Sequence, residues 1–504
     1  MDWKHGYFAE TGYTYGFYAE TAPTRLAWIA VLKGYKAVLE NFRYLDLGCG
    51  QGLSLVHMAA LHPDSEFIGI DFMPEHVAHG RQLANAAGLN NVRFIEADFV
   101  ELARDTADLG EFDYVVAHGI TSWIAPEVRE GLFSLAGKAL KPGGLMYNSY
   151  NTYPGWLAAA PFQHLVSQLQ SRYGGRQALE MAQQNMAKQK EAGSALFSLL
   201  PSLQGRLESM ADQDPAYLVQ EYNNQHWQPV YSSQMLQIAR KYKLEFMASA
   251  TLPEVFEGCL PPQLAELINS ETDAILRETI RDLVTAQSFR RDIYIKGGVQ
   301  FWQGDRSRAL SECRFITTEI SAKRDPDAPY EFQGGSFTLK GKPEVYHPIV
   351  DAFGAQGNSL LEGLKAAKAQ SLGAFLQNVA LLVHGGWLAL EGPAENNESA
   401  KRLNRATAQA ILVGAPYRFI CCPRIRSSVS IGDIDFMMIG LLQDNVKGAD
   451  LKDRLVKRMQ ELGKRFVSEG KPIEDAKEAE AKAGELVDRF LNLRQANLVR
   501  LGAI

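Results

Sequence analysis

Three short stretches near the start of the chain place acidic and glycine residues where apolar runs give out. Asp46-Leu-Gly48-Cys-Gly50-Gln-Gly52 grows out of YLDLG, Asp71-Phe72 closes EFIGID, and Asp98-Phe99 closes VRFIEAD. Glycines at alternate positions let the backbone turn sharply and approach a ligand closely, because no Cβ intervenes. The helix behind them presents free N–H groups. A carboxylate at the place of Asp71 can accept both hydroxyl protons of a ribose. Asp98 can take an adenine amino group while Phe99 offers a ring face. Each residue also has an ordinary structural reading, since aspartate is a favoured N-cap and a glycine loop also serves dehydrogenases. All three in register on successive strand ends are harder to explain as caps. The spacing G-x-G-x-G also departs from the G-x-G-x-x-G of dinucleotide binding. The chemistry implied is the holding of an adenosine-bearing cofactor.

A fourth stretch, YNSYNTYPGW at residues 147–156, follows the turn-like KPGG of 141–144. Tyr and Trp are good strand residues and Pro-Gly is ordinary turn chemistry. Tyr and Trp faces beside a bound cation would instead attract it.

The elements that must position these residues follow from the apolar pattern. Strands are expected at 44–48, 66–71, 92–98, 112–119 and 143–150, with helix-like runs LSLVHMAAL, EHVAHGRQLANAAG and VREGLFSLAGKALKPGG between them. That alternation reads as an α/β fold with a parallel sheet and helices on both faces. Ligands bind such sheets outside the carboxyl ends of the strands. Residues 161–298 read as mostly helical and closed by a strand in SFRRDIYIKGG, and 299–504 as a smaller α+β region. The latter holds a hairpin around YEFQGGSFTLKG, an element order that suggests a winged helix, and charged helices near 449–468 and 474–493. Three units are thus expected, 1–160, 161–298 and 299–504.

Composition sets limits. The 504 residues are 46% hydrophobic and 22% charged, with a net charge of −6, which argues against nucleic-acid binding through a broad basic face. Five cysteines lack metal-ligand spacing and are too few for a disulfide scaffold, as expected in a reducing, cytoplasmic setting. No signal peptide or membrane span is expected. HExxH, P-loop, nucleophile-elbow and CxxC patterns are absent, so no metal site is expected.

The runs LDLGCGQG, GIDF, EADF and LKPGG together resemble the class I S-adenosylmethionine-dependent methyltransferases. The resemblance implies the seven-stranded Rossmann-like sheet of that family, with S-adenosylmethionine across its first strands. Gly48, Gly50 and Gly52 would line the methionine part, Asp71 would hold the ribose, and Asp98 with Phe99 the adenine. Asp46 would organise the loop or approach the cofactor's amino group, and Phe72, His118 and Gly119 would complete the cofactor set. AHGITSWIAPEVRE (117–130), SYNTYPGW (149–156), EYNNQHWQPVYSSQMLQIARKYKLEFMASATL and AQSFRRDIY resemble a subfamily with a methyltransferase regulatory domain. Its best-known members are rickettsial protein-lysine methyltransferases that modify outer-membrane proteins. The N-terminal segment YTYGFYAETAPTRLAWIAVLKGY keeps the aromatics and the Pro-x-Arg-Leu of that subfamily but lacks its prolines around Tyr15.

On this reading a lysine amine, with an ordinary pKa of about 10.4, must lose its proton before attacking, and an apolar aromatic channel favours the neutral form. Tyr150, Asn151 and Trp123 are the expected substrate-orienting residues. Tyr147 and Tyr150, three apart, point to opposite sides if the strand continues. Tyr15, Tyr18 and Arg25 would form a lid, with Arg25 facing the cofactor carboxylate, and Tyr153 and Trp156 would line the substrate or pack the turn onto the next unit. The acceptor expected is a protein lysine or, alternatively, a small molecule. A cofactor-binding regulatory protein without turnover is the reading from another class.

Overall fold

The apolar runs that end in glycine and aspartate become strands buried on both faces. The computed structural model describes residues 14–106, 108–322, 324–335, 337–392, 397–446, 448–468 and 470–504. β1 (Arg43–Leu47), β2 (Glu66–Asp71), β3 (Val92–Glu96), β4 (Phe112–Ala117) and β5 (Leu140–Asn151) lie parallel. Helices α1 (Pro23–Leu32), α2 (Leu53–Leu61) and α3 (Pro74–Ala86) cover one face, while α4 (Phe99–Leu102) and α5 (Pro126–Ala139) cover the other. Burial from both sides is why these strands read as near-continuous apolar runs.

KPGG is not a turn between elements. It lies inside β5, where Gly143 at φ +84° kinks the strand and a register shift separates the two stretches paired with β4.

After β5 the chain leaves the sheet through α6 (Ala160–Tyr173), α7 (Gly175–Glu191), α8 (Ala195–Leu199), α9 (Pro201–Ser209) and α10 (Pro215–Asn223). These helices enclose a core of their own around Phe162, Leu179, Leu203 and Tyr222. They return at a parallel bridge between Thr152 and Val230. α11 (Ser232–Lys241) then packs beside α5 and leads to β6 (Glu245–Ser249). Next come α12 (Pro262–Asn269), α13 (Ala274–Thr285) and β7 (Phe289–Ile295), and the full order is β3-β2-β1-β4-β5-β7-β6. β7 runs antiparallel to both neighbours. Residues 1–160 therefore supply five strands, and the section read as helical supplies the last two. β6 escapes sequence reading because EFMAS is a short edge strand buried only at its end.

Beyond Arg314 the chain builds a three-stranded sheet with Arg314–Thr317 at its centre, antiparallel strand pairs 330–333 with 338–341, 419–422 with 427–430 and 467–468 with 471–472, and helices including Leu372–His384, Glu398–Ile411 and Ala476–Arg489. This region packs on α1 to α3: Trp28 meets Phe315 edge-on at 5.4 Å, and Arg402 donates to the Ala87 carbonyl at 3.1 Å. That cover explains α2, whose nine residues are all buried; a helix apolar all round has partners on every side. Its His57 meets Ser428 at 2.8 Å. Among the described residues no helix is long and apolar enough to cross a membrane.

Candidate active site

The loop between β1 and α2 turns on its glycines. Gly48, Gly50 and Gly52 have φ of +76°, +54° and +72°, a region in which side chains are strained. Space adds a second demand: a Cβ on Gly48 would stand 2.9 Å from Ile120 and one on Gly52 2.6 Å from Phe94. The N–H groups of Gly48 and Cys49 donate to the Ile70 carbonyl at 2.8 and 3.1 Å, stitching the loop to β2.

Asp71 fastens the same loop. Its carboxylate accepts from the Gly50 N–H at 2.8 Å and the Met73 N–H at 2.9 Å, and lies 3.2 Å from His76 Nδ1. Asp46 is also buried, and burial followed by the charge of Asp71 pushes its pKa up to about 7. Among the described residues no cation pairs with Asp46. Two neighbouring buried carboxylates with only an imidazole beside them leave a demand for positive charge. The ammonium and sulfonium of S-adenosylmethionine meet that demand, so the residues present fit this cofactor.

Asp98 caps α4, accepting from Val100 at 2.6 Å and Glu101 at 3.2 Å, with Phe99 buried behind it. The structure realises the cap reading of Asp98. Phe72, half-buried, follows Asp71 at the strand end.

Across the loop lies an N-terminal strap around the turn Ala19–Thr21. The Tyr18 N–H donates to Ser54 Oγ on α2 at 3.2 Å, and the Tyr18 ring covers His118 at 3.9 Å between centroids. His118 lies within 3.0 Å of the Tyr147 hydroxyl and 3.2 Å of the Ser149 hydroxyl, which also accepts from Gly119 N–H at 2.8 Å. Burial pushes the His118 pKa down to about 4, so the ring is neutral near pH 7. Tyr18, Thr21, Asp46, Val116, His118 and the glycine loop enclose a cleft of about 40 Å³. Beside it Glu20 pairs with Arg291 at 3.1 Å. Tyr15 packs edge-on to His79 and Tyr417. His79 donates from Nδ1 to the Gln51 carbonyl at 2.6 Å and meets the Tyr417 hydroxyl at 2.9 Å. The region after Arg314 thereby reaches the glycine loop through His79.

The structure gathers Asp46, the three glycines, Tyr18 and His118 at one cleft, with Asp71, Gly119 and Tyr15 supporting its walls. Tyr150 does not join them. The β5–β7 register turns it to the opposite face, where it is buried and its hydroxyl donates to Asp292 at 2.7 Å. Tyr147 is the tyrosine on the cleft side. Asn151 and Trp123 are buried as well: the Asn151 amide donates to Glu221 at 2.6 Å, and the indoles of Trp123 and Trp227 point to the same carboxylate. Burial pushes Glu221 up to about 7 against these partners. Trp156 belongs to the core of the helical insert beneath Arg206 at 3.8 Å, and Tyr153 packs on Tyr231. Both follow the packing reading. Arg25 faces a different cavity. Ser54, Glu20, Ser149, Arg291 and Glu221 were not singled out in sequence. They are brought in by register and by contacts distant in the chain, which leave no local pattern.

A sheet in the order 3-2-1-4-5-7-6, with a glycine loop and acidic residues at its carboxyl edge, defines a class I methyltransferase. Residues 39–227 match a family model described as a methyltransferase domain, and 214–296 one described as a predicted methyltransferase regulatory domain. An uncharacterized protein of Synechocystis sp. is 30% identical over the whole of both chains. A second, from Rickettsia prowazekii, is 26% identical over 68% of this chain and 62% of its own. Among solved structures, PKMT2 from Rickettsia typhi in complex with AdoHcy matches 97% of this chain and 99% of its own, with a TM-score of 0.70 and 19% identity. The chain belongs to the S-adenosylmethionine-dependent methyltransferases that carry a methyltransferase regulatory domain. That domain's match contains β6 and β7, so it completes the catalytic sheet rather than standing apart from it.

Proposed function

We propose that the enzyme methylates lysine side chains of proteins. The observation that carries this reading is the uncharged aromatic wall of Tyr18, His118 and Tyr147 beside the glycine loop. Such a wall favours an amine in its neutral form and attracts a sulfonium. The likeness to PKMT2 along nearly the whole chain supports it.

S-adenosylmethionine supplies a methyl group on a sulfonium that departs as a neutral thioether. The chain's residues do the rest. Asp46 and Asp71 hold positive charge and the loop in place, Tyr18 excludes water, and the acceptor amine sheds its proton to solvent before it enters. Alignment and dryness are the main demands of an in-line transfer. The helical insert and the region after Arg314 shape access for the acceptor. All five cysteines are free, in keeping with work in the cytoplasm.

The test is incubation with methyl-labelled S-adenosylmethionine, lysine-rich proteins and cell extract, followed by mass spectrometry. Label on lysine nitrogens is expected. Label confined to low-molecular-weight products would make the acceptor a metabolite.

A further inference from the structure

Behind the strap lies a second cavity, of about 480 Å³, within the range of small-molecule sites. It shares no lining residue with the cofactor cleft, but the same turn separates the two: Tyr18 and Thr21 line the cleft, Ala19 and Ala22 the cavity. Most of its wall is aliphatic, from Ala22, Val383, Leu388, Leu390, Ile425 and Val429.

Three charged side chains reach this wall, Arg25, Glu319 and Arg494. Two of them satisfy each other, since Arg494 pairs with Glu319 at 3.2 Å and with Asp435 at 3.4 Å. Arg25 is different. Its Nε is buried and makes no hydrogen bond, and among the described residues no ion pair holds its guanidinium. The carboxylate whose charge acts on it, Glu20, is engaged by Arg291 at 3.1 Å. Burial accordingly pulls the Arg25 pKa down to about 10. A buried guanidinium donor without an acceptor is costly, and the planar fork suits a carboxylate. A cationic ligand would be repelled, and a purely apolar one would leave the donor unmet.

We propose that this cavity binds a small monocarboxylate with an aliphatic tail, the carboxylate on Arg25 and the tail against Leu388, Leu390 and Val429. The site is separate from methyl transfer and does not depend on which acceptor the enzyme uses.

Calorimetric titration of the full-length protein with octanoate, and with octanol as the same tail lacking the carboxylate, tests it. Octanoate should bind one-to-one, with octanol weaker by about tenfold or more, the worth of a charge-assisted hydrogen bond. Arg25→Met should lose octanoate affinity by a similar factor while keeping its affinity for S-adenosylmethionine. Equal binding of the two probes, or no octanoate binding, would overturn the proposal. So would an Arg25→Met variant that binds octanoate normally but S-adenosylmethionine poorly, since Arg25 would then serve the cofactor's carboxylate. The two-probe comparison uses the unaltered protein, so misfolding of the variant does not spoil the test.

Discussion

Asp46 sits two residues before the first glycine of the loop, and burial beside Asp71 holds its pKa at about 7. Pairing with the cofactor's ammonium requires the charged form. Binding must therefore expel a proton at lower pH, and the Kd for S-adenosylmethionine should rise by up to about tenfold per pH unit below that pKa. Titrations from pH 5.5 to 8.5 would show this, and Asp46→Asn should flatten the profile while weakening binding at pH 8. Tyr150 makes the opposite case. Its hydroxyl serves Asp292, which Arg290 and Tyr294 also contact at 2.8 and 3.0 Å. Tyr150→Phe should cost about 1–2 kcal/mol of stability in denaturant unfolding and leave cofactor affinity unchanged. A loss of turnover at full stability would return Tyr150 to the acceptor site. Sequence alternation correctly sends Tyr147 and Tyr150 to opposite faces; which face carries the cleft is settled by the pairing of β5 with β7, invisible in the run YNSYN.

At the scale of elements, the strap and the glycine loop are the parts that must respond to ligand. A cleft of about 40 Å³ is far smaller than the roughly 300 Å³ or more of ordinary ligand sites, so the strap, with Tyr18 over His118, is the part expected to move when the cofactor enters. Amide hydrogen exchange across residues 16–22 should change on adding S-adenosylmethionine, and Tyr18→Ala should speed cofactor association. Unchanged exchange would mean that the strap takes no part in entry. The strands ending in LDLG, EFIGID and EADF were legible because each is a short apolar run stopped by glycine or aspartate. The strap's docking on α2 was not, because Ser54 and Tyr18 meet only through tertiary contact.

The whole molecule titrates in two opposing ways. His57 and His62, buried and held near pKa 3, and His118 and His384, half-buried and near 4, are neutral. Each contributes stability that is present above about pH 6.5 in the unfolded reference and is lost as pH falls. Asp46 and Glu221, near 7, and Asp282, near 6, are raised by burial, and their contribution is lost as pH rises through those values. Thermal unfolding of the cofactor-free protein should therefore be most resistant near pH 6.5, and saturating S-adenosylmethionine should move that optimum upward by charging Asp46 at a profit. A melting temperature still climbing at pH 8 would contradict this balance. The region after Arg314 joins the same core as α1 to α3, which sequence reading could not foresee from its separate hairpins and helices. The helical insert has another consequence. It leaves and re-enters the sheet where Thr152 bridges Val230, and it carries its own core. Two ends that meet at one point make this section a cassette: a short linker could replace it, or a different domain occupy its place, without asking any strand of the sheet to move.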